Sequence, residues 1–380
     1  MDNIDVLLAC GVQGSGGDAN VMYLSGFNPG SEFKFHNPAT ENGEPYVVLA
    51  GFARDNDPFL ITNMQDAWYV ENSDCWIAER RYYGYESAAA GYSESKHAPL
   101  LPSPVASLVK ALDERDLMNG TIGADMSHLT VGLLEEMRHV IPKARFVDAT
   151  QLFARLRAVK SSTELKYLRK AVGASEKCIR TAFELIEEKT AERAVTETVL
   201  QMARVLGLKA PWIQIGWSKV NTGSPAPDHR FERGDAGRID TGGEFGGYSS
   251  DLARIGSIGR PSEEIMDGYR AAAEVSEDLR NAVSPEKQCS ELCKLAHNSM
   301  RKHGSRLSSE SVGHGVGLDL HEPPYLINNS RTILEEGMVL TCEPILHKNG
   351  KFHFFVEDMV VVTKNGCEPL STIDRGIFVI

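Results

Sequence analysis

No apolar run in this 380-residue chain approaches the roughly 20 residues that a membrane-spanning helix needs. An excess of basic charge is also lacking. Lys and Arg total 40 against 52 Asp and Glu, a formal net charge of −12. That argues against non-specific nucleic-acid binding, which needs basic surface to displace counterions. Cysteines are few and odd in number, seven in all, scattered at Cys10, Cys75, Cys178, Cys289, Cys293, Cys342 and Cys367. Such a set fits a reducing compartment better than a disulfide framework. Cys289 and Cys293 lie four apart in a helical-looking segment, but no His or Cys follows at zinc-site spacing, so buried thiols are expected. No signal peptide is expected either. The apolar stretch Val6–Cys10 is short, is preceded by Asp2 and Asp5 and has no Lys or Arg before it, so it reads as a first strand. Low-complexity tracts and short tandem repeats are absent. With 42% hydrophobic and 24% charged residues, the remaining class is a globular protein, expected in the cytoplasm with no nucleic-acid or membrane partner.

At this length two domains are expected, divided at 1–158 and 159–380. The first alternates strand-like and helix-like segments. Asn20–Phe27 reads as a short helix or turn stopping at Gly26, and Tyr46–Ala50 and Pro58–Thr62 read as buried strands. A helix opens at Ser103 with Pro104 in its first turn and is expected to run to Asn119-Gly120. Thr121–Ala124 and Arg145–Asp148 read as strands around an amphipathic helix over Val131–Val140. This is a small α/β domain. At Ser161-Ser162-Thr163-Glu164 a capping box opens a long helix with apolar residues at three-and-four spacing, and a second helix is expected from Ala191 toward Leu206. Beyond Pro211 strands and glycines dominate, with further helices near Glu263–Val283 and Glu291–Lys302. The second part is therefore α+β, helices on a curved antiparallel sheet, with a helix-pair-then-hairpin order that occurs twice.

The acidic residues of that second part are oddly placed. Arg238-Ile239-Asp240 and Asp251-Leu252-Ala253-Arg254 flank the glycine-rich centre of a candidate hairpin. Antiparallel pairing brings the Asp240 and Asp251 carboxylates near each other, which is costly unless a cation or shared proton offsets the repulsion. His314 lies between glycines in Gly313-His314-Gly315, and His321 follows seven residues later. That odd spacing sends the two rings to opposite faces of a straight strand, so a bend or bulge must intervene for both to meet one site. Glu343 ends an apolar run before Pro344, and Glu357-Asp358 interrupts an apolar strand, where a buried charge needs coordination or hydrogen bonding.

The ordered set Asp240, Asp251, His314, Glu343 and Glu357, each in its own motif, resembles the metallopeptidase family of aminopeptidase P, prolidase, methionine aminopeptidase and creatinase. The resemblance spans Ser161 to the end, and the first part is similar to that family's creatinase-type amino-terminal domain. It implies an α+β pita-bread catalytic domain behind a smaller α/β domain. It also implies Asp240 on one divalent ion, Asp251 and Glu357 bridging two, and His314 and Glu343 completing the second. Carboxylate-rich ligation favours Mn, with Co, Fe or Zn as alternatives. Glu343 is further implied as the base that takes a proton from the attacking water, and His229 and His321 as accessory histidines that contact substrate. A homodimer acting on a small peptide or small amide, most readily an Xaa-Pro dipeptide, follows from the same resemblance.

Three positions depart from the family pattern. Glu310 stands where relatives that cut before proline have a histidine, Phe355 where they have an arginine, and Ile345 where many have glycine. None is an expected metal ligand. All three bear on substrate handling, and the loss of a cation at Phe355 leads us to expect weak binding of a substrate carboxylate unless another basic residue, such as Arg230, replaces it. Two alternatives accompany the peptidase reading. One is a creatinase- or ectoine-hydrolase-like enzyme, or a lyase, acting on a non-peptide C–N bond. The other is a catalytically inactive binding homologue, which has no reason to keep four buried carboxylates.

Overall fold

The near-continuous apolar run at Val6–Val12 forms β1, buried along almost its whole length, as a strand covered on both faces must be. The computed structural model describes residues 3–12, 17–29, 46–84, 99–217, 228–348 and 351–380. These divide into two units, Met1–Leu156 and Arg157–Ile380. After β1 come α1 (Asp18–Ser25), β2 (Val47–Ala53), β3 (Phe59–Asn63), α2 (Ala67–Glu71), β4 (Glu79–Tyr83) and α3 (Pro104–Asp113). They are followed by β5 (Thr121–Ala124), α4 (Val131–Val140), β6 (Arg145–Asp148) and α5 (Thr150–Ala158). The first unit's sheet has the order β4-β3-β2-β1-β5-β6 and is mixed, with β1 antiparallel to β2 and parallel to β5.

One expectation is corrected here. Helix α3 starts as expected, with Ser103 accepting from the Ala106 N–H, but it stops at Asp113 instead of reaching Asn119. Asp116 takes a left-handed φ of 57°, and the Leu117 N–H turns back to the Leu112 carbonyl at 2.9 Å. This is a Schellman-type stop, in which Leu117 serves as the apolar contact of the cap and no longer as a turn of helix.

The second unit contains α6 (Ser162–Leu185), α7 (Glu192–Val205), β7 (Lys209–Trp217), β8 (Ala236–Phe245), β9 (Tyr248–Ser257), α8 (Glu263–Ala282) and α9 (Cys289–Lys302). Short strands follow: β10 (His314–Gly315), β11 (Glu322–Tyr325), β12 (Val339–Cys342), β13 (Leu346–Lys348), β14 (Phe352–Phe354), β15 (Asp358–Thr363), β16 (Gly366–Pro369) and β17 (Phe378–Val379). Ser161 and Glu164 make the reciprocal capping box that opens α6. The apolar faces of α6 and α7 pack on β7–β9, and those of α8 and α9 on β12 and β15, so each helix pair covers its own set of strands.

The curved antiparallel sheet expected here is built as two sheets, β17-β9-β8-β7 and β11-β10-β12-β15-β16, beside the small hairpin β13-β14. Ala253 on β9 and Glu357 ahead of β15 bridge them through paired backbone hydrogen bonds of 3.1 and 3.4 Å. A buried ion group fastens this seam. The fully buried Arg254 donates to Asp358 Oδ1 at 2.7 Å and to the Glu357 carbonyl at 2.6 Å. Arg280 and Arg375 hold the other oxygen of Asp358, and Ser371 donates to the first at 2.6 Å. Burial pushes the Asp358 carboxyl up, but Arg254 and Arg375 overcome it and hold the group down at about 2.

Removing one partner of such a group strands the other charge, at a cost of about 3–5 kcal/mol, whereas an apolar replacement of both costs far less. We therefore expect Asp358→Ala to lower the unfolding free energy measured by urea titration by an amount on that scale. The double change Arg254→Met with Asp358→Leu should recover only part of the loss, because Arg280 and Arg375 still lose their carboxylate. Equal losses from the single and double changes would show that the seam does not depend on this pair.

Candidate metal centre

The hairpin β8-β9 sets the first two carboxylates. Its turn residues Gly246 and Gly247 both have positive φ, 57° and 83°, as a tight two-residue hairpin turn requires. Gly242 pairs with Asp251 and Asp240 with Ala253, so the two aspartates are diagonal neighbours on one face. At Gly242 an added Cβ would lie 1.9 Å from the Ser250 carbonyl oxygen. Glycine is needed there for the strands to approach.

His314 reaches the same place from the other sheet. A Cβ on the preceding Gly313 would lie 2.2 Å from the Thr341 carbonyl oxygen, so only glycine lets β10 lie so close to β12. The His314 backbone N–H donates to Thr341 Oγ1 at 3.1 Å. Its ring Nδ1 is 3.0 Å from the Gly315 carbonyl, which makes Nδ1 the protonated nitrogen and leaves Nε2 with a free lone pair. Nε2 lies 3.5 Å from Glu343 Oε1 and 3.7 Å from Asp251 Oδ2. Glu343 follows β12 directly and is anchored by its N–H to the Val312 carbonyl at 2.9 Å. Glu357 is set by the seam, and because successive residues of an extended chain face opposite ways, Glu357 and Asp358 go to different partners.

Three overlapping groups result, Asp240–Asp251–Glu357, His314–Glu343–Glu357 and Asp251–His314–His321, with the ligand-type atoms of each within 4.8 Å of one another. All five expected ligand positions and His321 thus converge. The His314 and His321 rings lie 4.1 Å apart, centroid to centroid. The bend anticipated between them is a complete chain reversal between β10 and β11, with a register shift after His314. Buried Glu322 pins that reversal, its carboxylate held by Arg157 and by Lys160 Nζ at 2.7 Å.

His229 belongs to none of the three groups. Its Nε2 is 3.2 Å from Asp235 Oδ2, and its ring stands edge-on to Phe231. Asp235 is a partner that sequence reasoning missed, although it lies only six residues on. Arg238 was missed too. It precedes Asp240 by two, on the same face of β8, and its guanidinium sits 4.9 Å above the Phe355 ring. The pocket therefore has a cation beside Phe355, contrary to expectation. Arg230 does not supply it, being exposed and bonded to the Lys189 carbonyl. Glu310 is exposed, with its backbone carbonyl accepting from Cys293.

The electrostatics ask for cations. Burial, followed by the charge of Asp240, pushes Glu343 up to about 8, and burial takes Asp240 itself to about 6. Asp251 and Glu357 are raised well above the carboxylate range, by burial first and by their acidic neighbours next. Burial pushes His314 down to about 4, so it is neutral and able to ligate. Among the described residues Asp240 Oδ1, His314 Nε2 and Glu357 Oε1 are buried with no hydrogen-bond partner. Orphaned atoms of this kind are costly in a folded protein unless a ligand takes them up. The residues fit a metal site.

Such a cluster defines a candidate metal centre. Residues 166–364 match metallopeptidase family M24 and residues 3–159 the creatinase/prolidase N-terminal domain, and the chain belongs to that family. Membership implies divalent metal ions. The Xaa-Pro dipeptidase of Pyrococcus horikoshii is 31% identical over 256 residues, 66% of this chain and 73% of its own. The prolidase structure from that organism superposes with a TM-score of 0.76 at 25% identity, covering 98% of this chain and 95% of the other. An X-Pro aminopeptidase structure from Thermotoga maritima shares the fold at a TM-score of 0.81 and 23% identity, over 99% and 96% of the two chains.

Raised carboxyl values favour folding while the groups stay protonated. That stability is complete below the ordinary carboxylate range and is lost as pH rises through about 6 and about 8, the Asp240 and Glu343 values. His314 acts in the opposite sense, losing stability as pH falls toward about 4, but one imidazole does not outweigh four carboxylates. Metal-stripped protein should therefore lose thermal stability between about pH 5 and pH 8, and added Mn2+ should raise the midpoint more at pH 8 than at pH 5. A metal-induced shift that does not grow with pH would mean that these carboxylates do not receive the ions.

Proposed function

We propose that this chain is a dinuclear metal-dependent peptidase that cleaves the amide before proline in short peptides, Xaa-Pro dipeptides above all. In this reading residues 159–380 form the catalytic domain. Asp240, Asp251, His314, Glu343 and Glu357 hold two divalent ions, Mn in preference to Co, Fe or Zn. The observation that supports it most is the trio of unpartnered buried atoms on Asp240, His314 and Glu357, within a chain of this family. We further propose a cytoplasmic homodimer. Seven free thiols, six of them buried, suit a reducing compartment, and the dimer follows from the family resemblance alone.

Bound ions supply Lewis acidity and a water acidic enough to attack an amide carbonyl near neutral pH. The protein's own groups do the rest. Half-buried Glu343 accepts the proton of that water on a carboxylate oxygen and returns it to the leaving nitrogen of proline. Burial lowers His321, so its ring is neutral near pH 7 and can donate one N–H to the carbonyl oxygen as charge develops there. The Asp235 carboxylate orients the His229 ring, which leaves the other nitrogen for substrate.

With metal-loaded protein and a panel of Xaa-Pro dipeptides, longer peptides with proline second and non-peptide amides, we expect turnover on the proline peptides. Glu343→Gln should cost at least about a hundredfold in kcat, the scale of losing a general base. His321→Ala should cost less. Turnover confined to non-peptide amides would replace the peptidase reading, and the reverse ranking of the two variants would overturn the division of roles.

A further inference from the structure

Arg238 is an unusual residue to find inside an acidic centre. Its side chain is 4% exposed, and of its nitrogens Nη2 donates to Gln214 Oε1 at 3.0 Å. The nearest acidic oxygen is Asp240 Oδ2 at 3.6 Å, in ion-pair range but too far for a good hydrogen bond. Nε and Nη1 have no hydrogen-bond partner among the described residues. Space is kept for the guanidinium on one side by Gly216, where a Cβ would lie 2.3 Å from Nη1. On the other side the plane is supported by the Phe355 ring. A guanidinium held in this way, with donors unspent, is a fork prepared for a carboxylate.

An acidic surrounding alone does not account for it. Asp240, Glu357, Glu343 and Asp251 all act on Arg238 electrostatically, yet none accepts a hydrogen bond from it. A buried arginine whose only purpose was to neutralise them would be bonded to one, as Arg254 is to Asp358. His353 is the other titratable group facing this cation, and burial with the nearby Arg238 keeps it neutral, so it carries no negative charge for the arginine to offset.

We infer that Arg238 is the specificity-determining residue that binds the free carboxylate of the substrate's proline, with Phe355 as the platform that aligns it. From the proposed function this takes that the substrate is an Xaa-Pro dipeptide, whose C-terminal proline lies next to the cleaved bond. The cation thus reaches the carboxylate from β8, with the centre of the aromatic ring at 355 lying 4.9 Å from the guanidinium carbon.

The test measures binding of proline and of prolinamide to metal-loaded protein by calorimetry, alongside hydrolysis of an Xaa-Pro dipeptide and its C-terminal amide. Wild type should favour the free acid over the amide by about ten- to a hundredfold, the scale of a charge-assisted contact. Arg238→Gln should remove most of that preference, and Arg238→Lys, which keeps charge but not the planar fork, should retain part of it. Thermal midpoints of both variants establish that they are folded. Should Arg238→Gln fail to fold, the acid-over-amide preference of wild type and its weakening in Arg238→Lys still decide the matter. Equal binding of acid and amide by wild type, or an undiminished preference in the variants, overturns the inference. Arg238-dependent proline binding without peptide hydrolysis would keep it and remove the peptidase reading. Hydrolysis of acid and amide at equal rates would do the reverse.

Discussion

Four carboxylates brought together out of water repel one another, and much of the second unit is arranged to make that repulsion tolerable. Asp240 and Asp251 come from the two arms of one hairpin and Glu343 and Glu357 from two distant segments, so no single turn gathers all four. Each backbone is fixed by something other than the carboxylate it carries. The hairpin register fixes Asp240 and Asp251, the Val312 carbonyl fixes Glu343, and the bridge to Ala253 fixes Glu357. The side chains are then left to serve a ligand. Their raised proton affinities and the orphaned atoms beside them are the same fact seen in energy and in geometry.

The Arg254–Asp358 group makes this arrangement possible. It lies one residue beyond both strands' contributions to the bridge, on the opposite side from the acidic cluster, and joins two sheets through a carboxylate that Arg280, Arg375 and Ser371 also hold. Asp358 is driven down to about 2 while the adjacent Glu357 is raised well above its ordinary value. Two neighbouring acids therefore take opposite states because extended backbone turns them toward opposite surroundings. The pita-bread fold meets its site at this seam.

Much of this could be read from the chain. The capping box at Ser161 and the apolar spacing behind it specify α6, and the glycine turn between Asp240 and Asp251 specifies their pairing. These are local signals, carried by a few consecutive residues. The stop of α3 at Asp113 was harder, since Leu117 continues the helical spacing and only its cap contact with Leu112 reveals the end. The meeting of His314 and His321 was anticipated as a bend, but its form depends on Glu322 being gripped by Arg157 and Lys160, residues more than 150 positions away. Arg238 shows the limit most clearly. Its position two before Asp240 told of a shared face, but nothing local told that Phe355 would lie beneath it.

That last contact changes the sense of the substitution at 355. Judged by position alone, phenylalanine in place of a cation removes an anion-binding group from the site. In space the ring lies against a guanidinium from another strand, and an aromatic face lowers the cost of holding a cation out of water. The two positions act as a pair, one bringing charge and the other its orientation. A cation at 355 and another at 238 would repel each other, and phenylalanine at 355 avoids that repulsion. Burial alone drives the Arg238 proton affinity down, while four surrounding carboxylates draw it up. Ions that take up those carboxylates remove that support, which leaves a desolvated guanidinium whose unspent N–H groups have only an incoming anion to satisfy them. On the inference drawn for Arg238, a preference for an anionic substrate and the binding of metal have one source in this charge balance.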